Sequence, residues 1–231
     1  DVHHNFVQRW NEASERDLAE GRWGEGSEED LSFPEVIPAV RGDATAQVQR
    51  TMPADRIINR HPAPGAQPFA IEHGEQSNLD QYLAAINAAR HAIYMENQFL
   101  DVPAVIEALL GAGQRGVEGA VLMPAEPDEA VLKVQSPERA AILAQRAALG
   151  KFENFTLAGI AGLGDDGTRR PVYVHSKLMI VDDAWATVGS CNLHRYSLFG
   201  NSELNVAFAG STTVLRLRDD LLGEHLGQDT A

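Results

Sequence analysis

From residue 77 onward, apolar positions recur alternately with a helical period near 3.6 and a strand period of 2. Leu79, Tyr82, Leu83 and Ile86 fall on one helical face behind Ser77, read as an N-cap, and the apolar run Ala92-Ile93-Tyr94-Met95 follows as a strand. The pattern then repeats. Pro103 sits in the first turn of a helix carrying Val105, Ile106, Leu109 and Leu110, which ends near Gly111 or Gly113, and Val117 to Met123 is the next strand. Ser136-Pro137-Glu138 starts another helix, through Ile142 and Leu143 to Gly150, before a strand at Phe155 to Ile160 and a Gly-rich loop from Gly162 to Thr168. Pro171 to Val181 and Ala184 to Val188 read as two strands joined by a tight hairpin at Asp182-Asp183. Ser202 to Phe208 alternates likewise, and Thr212 to Leu226 closes the chain as a helix. This order predicts an α/β fold, a mixed β-sheet flanked by helices.

The chain before residue 77 reads differently. Val2, Phe6 and Trp10 recur at helical spacing, which predicts a short amphipathic helix over residues 1–16 with that stripe docked on a partner surface. Residues 17–68 form an acidic linker, with Glu25, Glu28, Glu29 and Asp30 among Gly and Ser, and then an irregular Pro-containing stretch with one edge strand at Ala46 to Arg50. Residues 69–231 make the main domain.

Composition narrows the function. In 231 residues, 44% hydrophobic content can build a real core, and no run approaches the roughly 20 apolar residues of a membrane span. The net charge of −14 disfavours nucleic acid as a partner, because phosphates are bound through Lys and Arg. The single cysteine, Cys191, excludes an intramolecular disulfide and a multi-cysteine zinc site. The chain opens on Asp1-Val2-His3-His4 rather than Met, so an upstream segment is expected, and a cytoplasmic or membrane-peripheral location fits the rest.

The chemistry concentrates at His175-Ser176-Lys177-Leu178-Met179-Ile180-Val181-Asp182. In a strand, His175 and Lys177 share one face while Leu178 and Ile180 take the other. An ammonium attracts a phosphoryl oxygen, and a neighbouring imidazole serves as nucleophile or proton donor near neutral pH. The chain has only Lys133, Lys151 and Lys177, so this placement does not follow from abundance. Gly189-Ser190-Cys191-Asn192 then offers a hydroxyl and an amide to the same phosphate, and Glu203 shares a strand face with Asn205 where a carboxylate could orient a histidine.

These residues resemble the phospholipase D superfamily, whose signature is H-x-K, then D after four residues, then G-S-x-N, then a glutamate. His175, Lys177 and Asp182 match the first element, Gly189, Ser190 and Asn192 the second, and Glu203 the third. Tyr94-Met95-Glu96-Asn97-Gln98-Phe99 is similar to a segment near the start of the second lobe in lipid-acting members, and Phe6 to Asn11 to the helix that closes the first lobe. The resemblance implies one lobe of a phospholipase D-like α/β sandwich, working without cofactor or metal. It implies that His175 is one of two facing histidines and acts as general acid and base. Lys177 and Asn192 would bind phosphate oxygens, Ser190 would support them, and Glu203 would orient His175. Asp182 and Gly189 would hold the motif structurally, and Glu96, Asn97 and Gln98 are candidates for the substrate pocket.

None of His3, His4, His61, His73, His91, His194 and His225 has a lysine two residues on, so the site is half a site. Either an upstream first lobe carries the second histidine motif or the chain pairs with itself as a homodimer. The implied reaction is phospholipid hydrolysis or transphosphatidylation through a phosphohistidine, with contact to the membrane surface. Cardiolipin synthase-type phosphatidyl transfer is the alternative, followed by a nuclease and a non-catalytic lobe.

Overall fold

A computed structural model describes residues 1–14, 16–17, 22–23, 29–42, 44–54, 61–67, 71–126 and 136–227. Glu25 and Glu28 of the acidic run, and Lys133, lie outside the described residues. The chain divides into two units, one of residues 1–43 and 52–76, the other of residues 44–51 and 77–231.

In the first unit helix α1 (Val2–Ser14) turns the opposite way from its expected orientation. Val2, Phe6 and Trp10 are exposed, whereas His4, Val7, Gln8, Asn11 and Glu12 are buried. Hydrogen bonding explains the inversion. Asn11 exchanges two bonds with the backbone of Leu31, at 3.0 and 2.8 Å, and His4 Nε2 lies 2.7 Å from the His61 carbonyl oxygen, with Phe33 stacked on His61. A buried polar face is tolerated when its groups are bonded in this way.

The second unit holds a mixed sheet. Its strands are β1 (Thr45–Met52), β2 (Ala92–Glu96), β3 (Glu118–Leu122), β4 (Phe155–Ala158), β7 (Leu178–Val181), β8 (Trp185–Gly189) and β9 (Glu203–Ala209). A separate small ribbon pairs β5 (Ala161–Leu163) with β6 (Arg169–Pro171). These seven of the eight strands in the large sheet run in the order β1-β9-β8-β7-β2-β3-β4. Strands β2, β3 and β4 are parallel; the pairs β2–β7, β7–β8, β8–β9 and β9–β1 are antiparallel.

Helices cover both faces. On one face α2 (Ser77–Ala88), α3 (Pro103–Gln114) and α4 (Pro137–Leu149) bury Tyr82, Ile86, Ile106, Leu109 and Leu149 against Ile93, Met95, Val121, Met179 and Val181. Each such side chain contributes about 1.5–3 kcal/mol on leaving water. The opposite face carries Leu178, Ile180 and Ala186 beneath Val214 of α5 (Ser211–Leu226). Ser136 caps α4 by accepting from the Arg139 N–H at 3.1 Å, as its sequence predicts. Ser77 bonds both backbone groups of Arg50, tying α2 to β1.

Two expectations need correction. The long strand at Pro171 to Val181 is interrupted, because residues 172–177 belong to no ladder. Leu178 pairs with Val188 and Glu96, and β8 and β2 end at Gly189 and Glu96, so the segment before Leu178 runs past its neighbours. The Gly-rich loop is shorter than read, since its first residues and those after Thr168 form the β5–β6 ribbon. The hairpin at Asp182-Asp183 is present, with φ of 52° and 55°, left-handed values that aspartate accepts more readily than most residues.

Candidate active site

The site forms where β7 and β8 run out. Lys177, one residue before β7, is 8% exposed, and its ammonium donates to the His175 carbonyl at 2.6 Å and to Gln98 Oε1 at 3.5 Å. Asn192 Nδ2 donates to the same Gln98 oxygen at 3.2 Å. Thus Lys177 and Asn192, 15 positions apart, converge on one acceptor atom. The Asn192 Oδ1 is buried and has no partner among the described residues. Burial lowers the Lys177 pKa, with the charge of Glu203 opposing it.

Gly189 ends β8 where a Cβ would lie 2.1 Å from Asn205 Oδ1 and 2.4 Å from the Leu204 oxygen, so only glycine lets the G-S-x-N turn approach β9. Beyond it, Ser190 Oγ donates to Glu203 Oε2 at 2.5 Å. Glu203 therefore engages Ser190, and among the described residues it makes no hydrogen bond to His175 of the kind the sequence suggests. The exposed His175 imidazole stacks instead on Tyr173, with centroids 6.2 Å apart. Tyr173 in turn accepts from Gln98 Nε2 at 2.5 Å. Gln98 is thus the junction between Lys177, Asn192 and Tyr173.

The three residues Glu96, Asn97 and Gln98 go to three different places. Gln98 reaches the site. Asn97 Oδ1 accepts from the Leu193 and Phe99 N–H groups at 3.0 and 3.2 Å, pinning the loop that carries Asn192. Glu96 is buried in a cluster of its own, accepting from Tyr94 at 2.6 Å and Ser176 at 2.5 Å, with His225 Nε2 2.8 Å away. Burial would raise the Glu96 pKa, but the bonds from His225, Ser176 and Tyr94 outweigh it and hold it low.

Asp182 sits at the far end of β7 from Lys177. Its carboxylate accepts from the backbone N–H groups of Arg90, His91 and Ala92 at 2.9, 2.8 and 2.9 Å, clamping the start of β2. Burial works against these three bonds, which still bring its pKa down. Asp183 pairs with Arg218 of α5.

Sequence reasoning missed Tyr173 as a member of the site. It also missed a buried brace beneath it, in which Asn205 accepts from the Cys191 N–H at 3.1 Å and donates to the Tyr82 hydroxyl at 3.1 Å. Burial pushes the Cys191 thiol up to about 12, so it is protonated and inert at neutral pH. No group of three or more metal-ligating side chains occurs among the described residues.

Solved structures with this arrangement of sheet and helices include Nuc, a phospholipase D family member from Salmonella typhimurium, with a TM-score of 0.51 over 80% of this chain and 96% of that one. NucT from Helicobacter pylori also matches with a TM-score of 0.51, over 65% of this chain and 87% of its own. Both are 17% identical to the chain, a likeness of fold alone.

The sequence family described as cardiolipin synthase, PLD-like domain, matches residues 82–222. The chain belongs to this family of the phospholipase D superfamily. Cardiolipin synthase B of Salmonella typhi is 30% identical over 169 residues, 71% of this chain and 37% of that protein. Mouse phospholipase D1 is 28% identical over 263 residues, 95% of this chain and 23% of its own length. The chain therefore spans little more than a third of the cardiolipin synthase it matches.

Proposed function

We propose that this chain supplies half the active site of a phosphodiesterase that acts on phospholipids by hydrolysis or transphosphatidylation. The convergence of Lys177 and Asn192 on Gln98 Oε1 carries this reading. A single oxygen that receives both an ammonium and an amide stands where a phosphoryl oxygen would be held, and such donors stabilise charge developing on the transferring group. The opposing histidine comes from outside this set of residues, on an upstream lobe or a second copy. Its ring nitrogen attacks phosphorus, the head group leaves as an alcohol with a proton from His175, and a phosphatidyl-histidine with a P–N bond remains. Water or another alcohol then attacks phosphorus, giving its proton to His175 and freeing the first histidine. Ser190 and Glu203 form a second polar pair beside the cage.

The net charge of −14 supports a lipid rather than a nucleic-acid substrate. Similarity to cardiolipin synthase B favours transfer to a lipid hydroxyl over hydrolysis. A chiral phosphorothioate lipid, with ethanol present and EDTA added, tests the scheme on the full-length protein. Two in-line displacements retain configuration, and ethanol diverts product to the phosphatidyl alcohol at constant head-group release. Inverted product, or activity lost to EDTA and restored by a divalent metal, identifies attack by metal-activated water instead.

A further inference from the structure

The buried Glu96 carboxylate takes no part in the cage formed by Lys177, Asn192 and Gln98, yet three side chains converge on it. Tyr94 and His225 meet its Oε1 at 2.6 and 2.8 Å, and Ser176 donates to its Oε2 at 2.5 Å. The side chains of Glu96 and His225 are 7% and 14% exposed. Burying a carboxylate is costly, and bonds of this kind offset the cost without explaining why the charge is there. Burial works against ionisation, but the bonds from His225, Ser176 and Tyr94 keep Glu96 charged, so it accepts and His225 carries a ring proton on Nε2.

Ser176 is the residue between His175 and Lys177, and its segment lacks the ladder bonds that hold an ordinary strand. The Val172 N–H donates to the Ile160 carbonyl at 2.9 Å, and the Lys177 carbonyl accepts from the Gly189 N–H at 3.1 Å. Between them, residues 173–176 make no backbone-to-backbone hydrogen bond among the described residues. Side chains hold the segment instead. Tyr173 and Lys177 meet Gln98, whose oxygen a phosphoryl group would replace, and Ser176 meets Glu96. Across the β2–β7 ladder Glu96 pairs with Leu178 and Tyr94 with Ile180, so the carboxylate lies on the sheet face that α5 covers. His225, in the last turn of α5, reaches it from there.

We infer that Glu96 and His225 are positioning residues for the proposed phosphodiesterase reaction, anchoring Ser176 to α5 so that the unpaired segment presents His175 to the departing head group. The inference rests on that reading of the site. The ties to Gln98 are given up when a phosphoryl oxygen takes its place, whereas the Ser176–Glu96 bond is indifferent to substrate and persists through the reaction. Lys177 borders β7 and has its carbonyl bonded to Gly189, so loss of the anchor displaces His175 more than Lys177. The group affected is the proton donor, not the phosphate seat. A displacement of about 1 Å in such a group lowers the rate on the order of 10²-fold.

The test uses the full-length protein and two lipids of equal chains: phosphatidylglycerol, whose alkoxide leaving group needs a proton, and phosphatidyl-p-nitrophenol, whose phenolate does not. Ser176→Ala, at an exposed position, should lower kcat for phosphatidylglycerol about 10²-fold with KM within about threefold of wild type. Release of p-nitrophenol in the first turnover, read by stopped flow, should keep its wild-type rate. Glu96→Gln and His225→Phe should act in the same direction. Ser176→Thr and His225→Gln, which keep the hydroxyl and an N–H donor, should restore most of the loss, and circular dichroism checks each fold. Equal losses on both lipids, a raised KM at constant kcat, or full activity in Ser176→Ala overturns the inference. A second readout does not depend on turnover. In spectra of the 15N-histidine-labelled protein, the His175 ring signals, assigned by their loss in His175→Gln, should move in Ser176→Ala and Glu96→Gln and return in Ser176→Thr. Signals that stay in place also overturn the inference. Turnover that survives Lys177→Ala sinks the phosphodiesterase reading instead, and the spectra then decide on the anchor alone.

Discussion

Lys177 is an ammonium in a poorly hydrated place, and this has a stability cost beside the catalytic use proposed for it. Its folded pKa is lowered, first by burial, so the folded state holds that proton less tightly than the unfolded chain does. Stability therefore rises as pH climbs through the folded pKa towards the unfolded one. Lys177→Met keeps the aliphatic stem and removes the charge. We expect turnover in the full-length enzyme to fall about 10²–10³-fold, the scale for losing one preorganised charge-stabilising donor. The thermal midpoint should hold or rise, because the buried charge is gone. Steady-state kinetics and calorimetry on the same preparation check both, and a variant that loses activity by unfolding would show a lowered midpoint. Such a split, with activity lost and stability kept, is the mark of a residue selected for chemistry rather than packing.

Strand β7 is fixed at its far end by one carboxylate, and the fold around the site depends on that clamp. Asp182→Ala removes the acceptor for three backbone N–H groups and should cost on the order of 1–3 kcal/mol, a range already discounted for the solvent that reaches them. The low folded pKa makes this a pH-dependent term. It is present in full above the unfolded value and fades as pH falls through the folded one. Urea titrations at neutral and acidic pH should find the wild type and Asp182→Asn converging in acid, with asparagine chosen because it also accepts the positive φ. Parallel curves at both pH values would deny Asp182 this role. Much of this element was readable from sequence, since alternation located Leu178 to Val181, and Asp182-Asp183 signalled the hairpin. The break at residues 172–177 was not, because Tyr173 and His175 alternate with a buried Val174 as a strand would. Only the ends of β2 and β8 reveal that the ladder stops. The burial of α1 was illegible for a related reason, as the partners of His4 and Asn11 lie 57 and 20 residues away. The pairing of Glu96 with His225, 129 residues apart, carries no local signal at all.

At the scale of the whole molecule the main expectation is incompleteness. Purified as a dilute monomer, the chain should leave a chromogenic phosphodiester intact, and its natural upstream segment, or a face-to-face second copy, should restore turnover. A monomer that hydrolyses the substrate and loses that ability in His175→Ala would mean the chain needs no second histidine. The buried Glu96 cluster should matter here too. Glu96→Gln keeps the shape but weakens the hold on Ser176 and His225, so it should lower the thermal midpoint more at pH 7 than in acid, where the wild-type carboxylate is itself protonated. Finally, in the proposed scheme Gln98 fills the phosphate seat with the protein's own amide oxygen, which receives the Lys177 and Asn192 donors. An arriving phosphoryl oxygen has to displace that oxygen, and a departing product has a competitor waiting to replace it. On that scheme the amide acts as a tethered competitor whose effective concentration is set by the loop, one that substrate must evict and that hastens the exit of product. Gln98→Ala should therefore show tighter inhibition by phosphatidic acid and by inorganic phosphate, and in a progress curve its rate should decay sooner than that of the parent enzyme.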